Sequence, residues 1–144
     1  MTAVVSFTFT EEQQDFARTV AGYARKELLP GYRERAASAE FPFGVLRQLG
    51  ELGVLGIGLP ERYGGTGADD PVLLGLVAET LAYGDVNMAA APIQVGLIAA
   101  QLAQASEEVR ERYLPPLIEG REKAAFGVTE PNAGSNTLRL ETAA

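Results

Sequence analysis

The sequence predicts a mainly α protein: a helical domain over residues 1–120, then the first strand or strands of a β domain over residues 121–144. Three observations carry this. Apolar residues recur at intervals of three and four in five successive segments between residues 11 and 118, the spacing that puts them on one face of a helix. Capping residues or prolines open these segments, and several end at glycine. After Gly120 the pattern changes to a short apolar run, an open loop and an alternating segment.

In the first helix, Thr10 and Gln13 fit a capping box, with the Thr10 hydroxyl accepting from the third helical amide and Gln13 reaching back. Glu11 and Glu12 sit favourably in the first turn. Phe16, Val20, Tyr23 or Ala24, and Leu28 make one apolar stripe, while Glu12, Arg18, Arg25 and Lys26 face elsewhere. Pro30 and Gly31 mark a break or kink, beyond which residues 32–39 continue as a mobile helical turn.

Pro42 suits the first position of the second helix, whose apolar face is Val45, Leu46, Leu49 and Leu52 and whose end is Gly53. Residues 54–60 form an apolar, glycine-punctuated link, and residues 61–67 a turn-rich loop. Gly64, Gly65 and Gly67 invite a phosphate-loop reading, but neither a lysine nor a strand-loop-helix context accompanies them, so a tight corner between helices is the better reading.

Asp70 caps and Pro71 opens the third helix, lined by Val72, Leu73, Leu76, Val77 and Leu81 and ending near Gly84. Glu79 lies on or beside this face and reads as a rim residue or half of an ion pair rather than a buried functional acid. The fourth helix, within residues 85–105, is rich in small residues and leaves room beside Ile93, Leu97, Ile98 and Leu102. Ser106 caps the fifth helix, residues 107–112 make a solvated charged face, and residues 113–120 turn the chain towards a strand. Residues 124–128 read as a buried strand ending at Thr129, and residues 137–142 alternate as a half-exposed strand does.

Composition narrows the chemistry. The 144 residues hold 12 basic and 19 acidic side chains, a net charge of -7, with no basic block to track phosphates, which argues against nucleic acid. Cysteine and histidine are both absent, which removes disulfides, thiol nucleophiles, imidazole bases and most transition-metal sites, so no metal is expected. The apolar stretch over residues 89–103 is interrupted by Pro92, Gln94 and Gln101 and falls short of the roughly 20 residues that span a bilayer. Residues 1–6 lack a basic segment and do not read as a secretory signal, leaving the cytoplasm as the expected compartment.

The most informative stretch is residues 126–136. Pro131 biases Glu130 towards an extended conformation and lacks an N–H. Residues 132–136 then offer successive backbone amides, with Gly134 able to take positive φ and admit a ligand close to the backbone. Thr129, Ser135 and Asn136 add neutral donors suited to a pyrophosphate or a polar heteroaromatic ring.

Thr129-Glu130-Pro131-Asn132-Ala133-Gly134-Ser135-Asn136 resembles the Thr-Glu-Pro-x-Ala-Gly-Ser-Asp motif of the acyl-CoA dehydrogenase family of flavoproteins. Residues 49–69 are similar to that family's Leu-Gly-x-x-Pro-Glu-x-Tyr-Gly-Gly-x-Gly stretch, and residues 111–117 to its Glu-Arg-Tyr-Leu-Pro-Pro-Leu segment. The resemblance implies FAD along residues 126–135: Thr129 on the flavin edge, Phe126 and Val128 beside the ring, Gly134 letting the backbone approach, and Ser135 at the pyrophosphate and the thioester site. It also implies that the fourth helix lines the acyl pocket, with Gln94, Gly96 and Ile98 as candidate substrate contacts. The single departure of weight is Asn136 in place of Asp, which removes a charge and adds an NH2 donor.

The activity so implied is α,β-dehydrogenation of an acyl-CoA thioester, with electrons passing to an electron-transferring flavoprotein, in a homo-oligomer (homotetramer or dimer). The resemblance places the catalytic glutamate in a C-terminal helical domain outside these residues, so no catalytic residue is expected in the chain, which on its own should be inactive. The alternatives are a related flavoenzyme, such as an acyl-CoA oxidase or a flavin-dependent monooxygenase, and a non-catalytic helical interaction module.

Overall fold

The structure is a computed structural model and describes residues 8–67 and 69–143. The N-terminal run read above for a secretory signal, residues 1–6, lies outside the described residues. The helices are α1 (Glu11–Tyr23), α2 (Leu29–Ala37), α3 (Phe43–Glu51), α4 (Pro71–Gly84), α5 (Val86–Leu102) and α6 (Glu107–Ile118).

The capping box forms as expected: the Gln13 amide donates to Thr10 Oγ1 (3.1 Å) and the Thr10 amide to Gln13 Oε1 (3.0 Å). Beyond α1 the chain does not break at Pro30. It runs through one π-helical turn, Ala24–Leu28, directly into α2, with the Leu29 amide donating back to the Ala24 carbonyl. The expected interruption therefore precedes the proline. A proline in a continuing helix leaves a hydrogen bond unmade and crowds the preceding turn, and a π turn is one way a helix absorbs such an irregularity.

The core gathers Val20, Ala24 and Leu28 from the first long helix, Leu46 and Leu49 from α3, Val77 and Leu81 from α4, and Met88 and Val95 from α5. Val54 and Leu55, on a short 3-10 turn, close it from below. Leu28, Leu49, Leu55 and Leu81 are each under 2% exposed, and burial of such a side chain contributes about 1.5–3 kcal/mol. A smaller cluster of Tyr63, Ala99, Leu114 and Ile118 joins α5 and α6 to the 61–63 corner.

One buried charge crosses this core. Asp85 is 2% exposed; it caps α5 by accepting from the Asn87 amide (3.0 Å) and pairs with Arg35 Nε (2.8 Å). Arg35 also donates to the Leu28 carbonyl at the end of the π turn, so one guanidinium ties α2, the π turn and the start of α5 together.

At the C-terminal end one expectation is corrected and the expected strands are not seen among the described residues. Helix α6 continues through Pro115 and Pro116 to Ile118 instead of turning at residue 113. Both carbonyls stay useful, accepting from the Glu119 and Arg121 amides at 2.9 Å. Gly120 then stops the helix at φ 66°; a Cβ there would lie 2.3 Å from the Leu46 carbonyl oxygen, so glycine is required by both conformation and space.

No strand forms among the described residues. Residues 124–128 have no ladder partner and are half-buried to exposed, with Phe126 at 48%. Thr137–Arg139 is a 3-10 turn with Leu138 at 95% exposure. The physical reason is that a strand needs a neighbour to take its amides and carbonyls, and an isolated extended segment has none. No helix among the described residues is long and apolar enough to cross a membrane.

Candidate functional site

After Gly120 the chain runs back along α5. There Gln94 Nε2 donates to the Ala124 carbonyl (3.1 Å), which fixes the approach to the loop at residues 126–136. The loop is closed at its neck by two backbone bonds, Glu130 N–H to Ala133 O (2.9 Å) and Ala133 N–H to Glu130 O (3.2 Å). Ala133, 3% exposed, is its one buried residue.

Glu130 has a structural task. Its carboxylate accepts from the Glu141 amide (2.8 Å) and the Thr142 amide (3.0 Å), and the Thr142 side chain, followed by these two amides, holds its carboxyl below the usual range. The tail is thereby drawn back onto the loop. Asn136 Oδ1 accepts from the Leu138 amide (3.3 Å). The side-chain oxygen that an Asp would also offer is thus the one in use, and the loss of charge at this position leaves the local turn intact.

The remaining loop donors are uncommitted. Thr129, Asn132, Gly134 and Ser135 are exposed, and none of the amides of Asn132, Gly134, Ser135 and Asn136 donates to an acceptor among the described residues. A Cβ built on Gly134 meets nothing within 4 Å. Its φ is not positive, so the glycine leaves open backbone without the left-handed conformation allowed for above. Phe126 lies exposed and Val128 half-buried on the run into the loop. These are neutral donors on an accessible edge, a set that fits the phosphates and ring edge of a flavin dinucleotide.

The glycine corner at residues 64–67 is different. The amides of Gly65, Thr66 and Gly67 donate to the carbonyls of Pro60 (3.2 Å), Gly56 (3.0 Å) and Leu59 (2.8 Å). A Cβ on Gly65 would stand 2.1 Å from the Leu59 oxygen. Its donors are spent on the fold, as a tight corner requires and a phosphate cradle forbids. Glu79 is exposed on α4.

The three candidate substrate contacts on α5 part company. Gln94 lines a cavity of about 320 Å³ with Phe41, Ala91, Lys123 and Ala124. Gly96 lines a second cavity of about 560 Å³ between α5, α6 and the 57–63 segment. Ile98 is half-buried and packs on the core. The helical period of 3.6 sets Gly96 apart from the other two, since residues two apart on a helix point away from each other, whereas Gln94 and Ile98, four apart, share a face and differ in what lies against it.

Two arrangements at these cavities carry no signal in the linear sequence. Lys123 stands over the rings of Phe41 (4.1 Å) and Phe43 (5.6 Å), which meet edge to face. At the larger cavity the Tyr63 hydroxyl donates to Glu107 Oε1 (2.8 Å), while Glu107 Oε2 takes Arg110 (2.6 Å) and, more distantly, Arg62 (3.8 Å). Burial, followed by the bond to Glu107, raises the Tyr63 phenol, and the same bond holds the Glu107 carboxyl down. Arg110 Nε is buried there with no hydrogen-bond partner. Tyr63 and Glu107 lie 44 residues apart, and no local pattern links them.

Comparison with known proteins agrees with this architecture. Residues 10–121 match the family described as acyl-CoA dehydrogenase, N-terminal domain. An acyl-CoA dehydrogenase of Bacillus subtilis (strain 168) is 34% identical over 142 residues, which cover 94% of this chain and 36% of that protein. The butyryl-CoA dehydrogenase of Megasphaera elsdenii superposes with a TM-score of 0.78 at 34% identity, over 92% of this chain and 36% of that one. A glutaryl-CoA dehydrogenase of Mycobacterium smegmatis, in complex with FADH2, superposes with a TM-score of 0.83 at 32% identity, over 93% and 35% respectively. The chain therefore spans little more than a third of the length of the relatives it matches. Matched to that model over residues 10–121, the chain belongs to the acyl-CoA dehydrogenase family, whose N-terminal domain it carries.

Proposed function

We propose that this chain is the N-terminal part of an FAD-dependent acyl-CoA dehydrogenase, with residues 1–120 as the helical platform and residues 121–144 as the start of the β domain that carries the flavin loop. The observation that supports this most directly is the loop itself: Thr129, Gly134 and Ser135 present uncommitted, uncharged donors on an accessible edge. FAD, when bound, supplies the two-electron acceptor for α,β-dehydrogenation of an acyl-CoA thioester.

The chain's own residues bind and orient. Thr129 would hold the flavin edge through its hydroxyl and amide, and Ser135 with the neighbouring amides would hold the pyrophosphate. Phe126 and Val128 would give the ring an apolar neighbour. Gln94 keeps the approach to the loop pinned to α5, the helix proposed to line the acyl site. The acid-base glutamate belongs, by family, to a domain outside these residues, and an electron-transferring flavoprotein is the proposed electron acceptor for the assembled homo-oligomer.

The test is flavin retention and acyl-CoA bleaching by the complete polypeptide. Thr129→Val and Ser135→Ala should each weaken FAD binding by about 2–10-fold, the equivalent of one hydrogen bond of about 0.5–1.5 kcal/mol. The 144-residue chain alone should show no turnover. Failure to bind flavin, or a flavin that no acyl-CoA bleaches, would remove the reading, and substrate-dependent oxygen consumption would replace the dehydrogenase with an oxidase or monooxygenase.

A further inference from the structure

We propose that Lys123 is a positioning residue for the flavin: seated over Phe41 and Phe43, it clamps the run at residues 121–125 to the start of α3 and so sets where the loop at residues 126–136 meets the cofactor. This rests on the flavin reading above and adds to it a residue that does not itself touch FAD.

The first argument is how little else holds this run. Gly120 packs against α3 at Leu46, and the Arg121 and Glu122 amides still donate to the Pro116 carbonyl (2.9 and 3.1 Å). From Lys123 to Thr129 no backbone hydrogen bond to another part of the chain forms among the described residues. Two side-chain contacts take over. Lys123 Nζ stands 4.1 Å from the centre of the Phe41 ring and 5.6 Å from that of Phe43, and Gln94 Nε2 lies 3.1 Å from the Ala124 carbonyl oxygen. The run thus crosses from the middle of α3 to its start, and from there to α5.

The second argument is that the rings form a prepared seat. Phe41 and Phe43 flank Pro42, the residue that leads into α3, and the Phe43 amide donates to the Phe41 carbonyl (2.9 Å). That turn sets the rings edge to face with centroids 4.9 Å apart. Both lie within the distance of about 6 Å at which a ring face attracts a cation. The ammonium meets no carboxylate among the described residues, so the rings are its anchor.

Leverage is the third. Phe41, Gln94, Lys123 and Ala124 line one cavity of about 320 Å³, so the two attachments sit together at the foot of the run. Thr129 follows Lys123 by six residues, a length that spans about 20 Å when extended. Slack at residue 123 is therefore passed on to the loop donors.

The test is a double-mutant cycle in the complete polypeptide. Lys123→Met removes the cation, and Phe41→Leu removes a ring while leaving every charge in place. Lys123 is exposed and Phe41 is 39% exposed, so both variants should fold. Each should weaken FAD binding, followed by quenching of flavin fluorescence, by about 2–5-fold, the equivalent of a cation–π contact of about 0.5–1 kcal/mol. Amide hydrogen exchange over residues 121–129 of the flavin-free protein should quicken by a similar factor. The double variant should lose no more than either single one, because the two side chains make one contact. Lys123→Arg, which keeps a cation for the rings, should retain wild-type affinity and exchange.

Unchanged affinity and exchange in Lys123→Met would overturn the proposal. So would a loss in Lys123→Met with none in Phe41→Leu, which would mark the charge as acting on the cofactor directly, or losses that multiply in the double variant. A wild type that takes no FAD would remove the flavin reading instead. The exchange measurement then stands alone, and unchanged exchange in Lys123→Met would overturn the clamp.

Discussion

Asp85 shows what a single buried residue contributes. It is both the cap of α5 and the partner of Arg35 across 50 residues of sequence, and removing one half of a buried pair leaves the other uncompensated. Asp85→Ala should therefore lower stability by about 3–5 kcal/mol in urea unfolding, whereas Glu79→Ala, on the exposed face of α4, should stay within about 0.5 kcal/mol. Ionisation gives a second residue-scale expectation. Asp70, bonded first by Gln13 and then by the Leu73 amide, is held below its ordinary 3.8, and Glu107 and Glu130 are held below 4.5. A carboxyl depressed by folding stabilises the protein above its unfolded pKa, and that stabilisation is lost as pH falls through the folded value. Tyr23 has the opposite sense: burial, partly opposed by Arg35, pushes it from 10.0 up to about 12. Its contribution is complete below pH 10 and lost as pH rises through about 12. The urea midpoint should thus fall away on the acid side below the carboxyl range and on the alkaline side above pH 10, and Asp70→Asn should flatten the acid limb.

Among the elements, two glycines separate helix propensity from packing. Gly22 lies exposed on α1, and a Cβ there meets nothing within 4 Å. Gly22→Ala should stabilise by about 0.5–1 kcal/mol through the unfolded chain and the helix. Gly84 ends α4 against the π turn, where a Cβ would stand 2.7 Å from the Ala24 carbonyl oxygen and 2.9 Å from Leu28 Cβ. Gly84→Ala should instead destabilise by about 1–3 kcal/mol, as overpacking does. Thermal unfolding of the pair should move the midpoint in opposite directions. The same contrast separates what could be read locally from what could not. Thr10, Asp70 and Ser106 announced their helices because capping is a bond between neighbours in sequence. The π turn before Pro30 and the passage of α6 through Pro115 and Pro116 were missed, because whether a proline ends a helix depends on what the rest of the fold supplies around it.

At the scale of the whole molecule, the exposed surface has a pattern of its own. Val86, Ile93 and Leu97 stand 58%, 45% and 51% exposed along one ridge of α5, at the spacing of a helix-packing seam. In isolation the 144-residue chain should associate through this ridge. Light scattering at micromolar concentration should detect it, and Leu97→Glu should shift the population towards monomer; a clean monomer in the wild type would refute it. The expected strands after residue 120 belong to this scale too. Alternation and β-branching describe a segment's preference, but a ladder is a property of two segments, and the second is not formed among the described residues.

The sequence by itself determined the helical class, the capped starts of α1, α4 and α6, the glycine corner and the loop motif at residues 129–136, because each rests on bonds or periodicities among near neighbours. Tertiary structure alone decided the Arg35–Asp85 pair, the Tyr63, Glu107 and Arg110 network and the division of Gln94, Gly96 and Ile98 among two cavities and the core. Those depend on distances between residues far apart in the chain, which follow only once every helix has found the surface it buries.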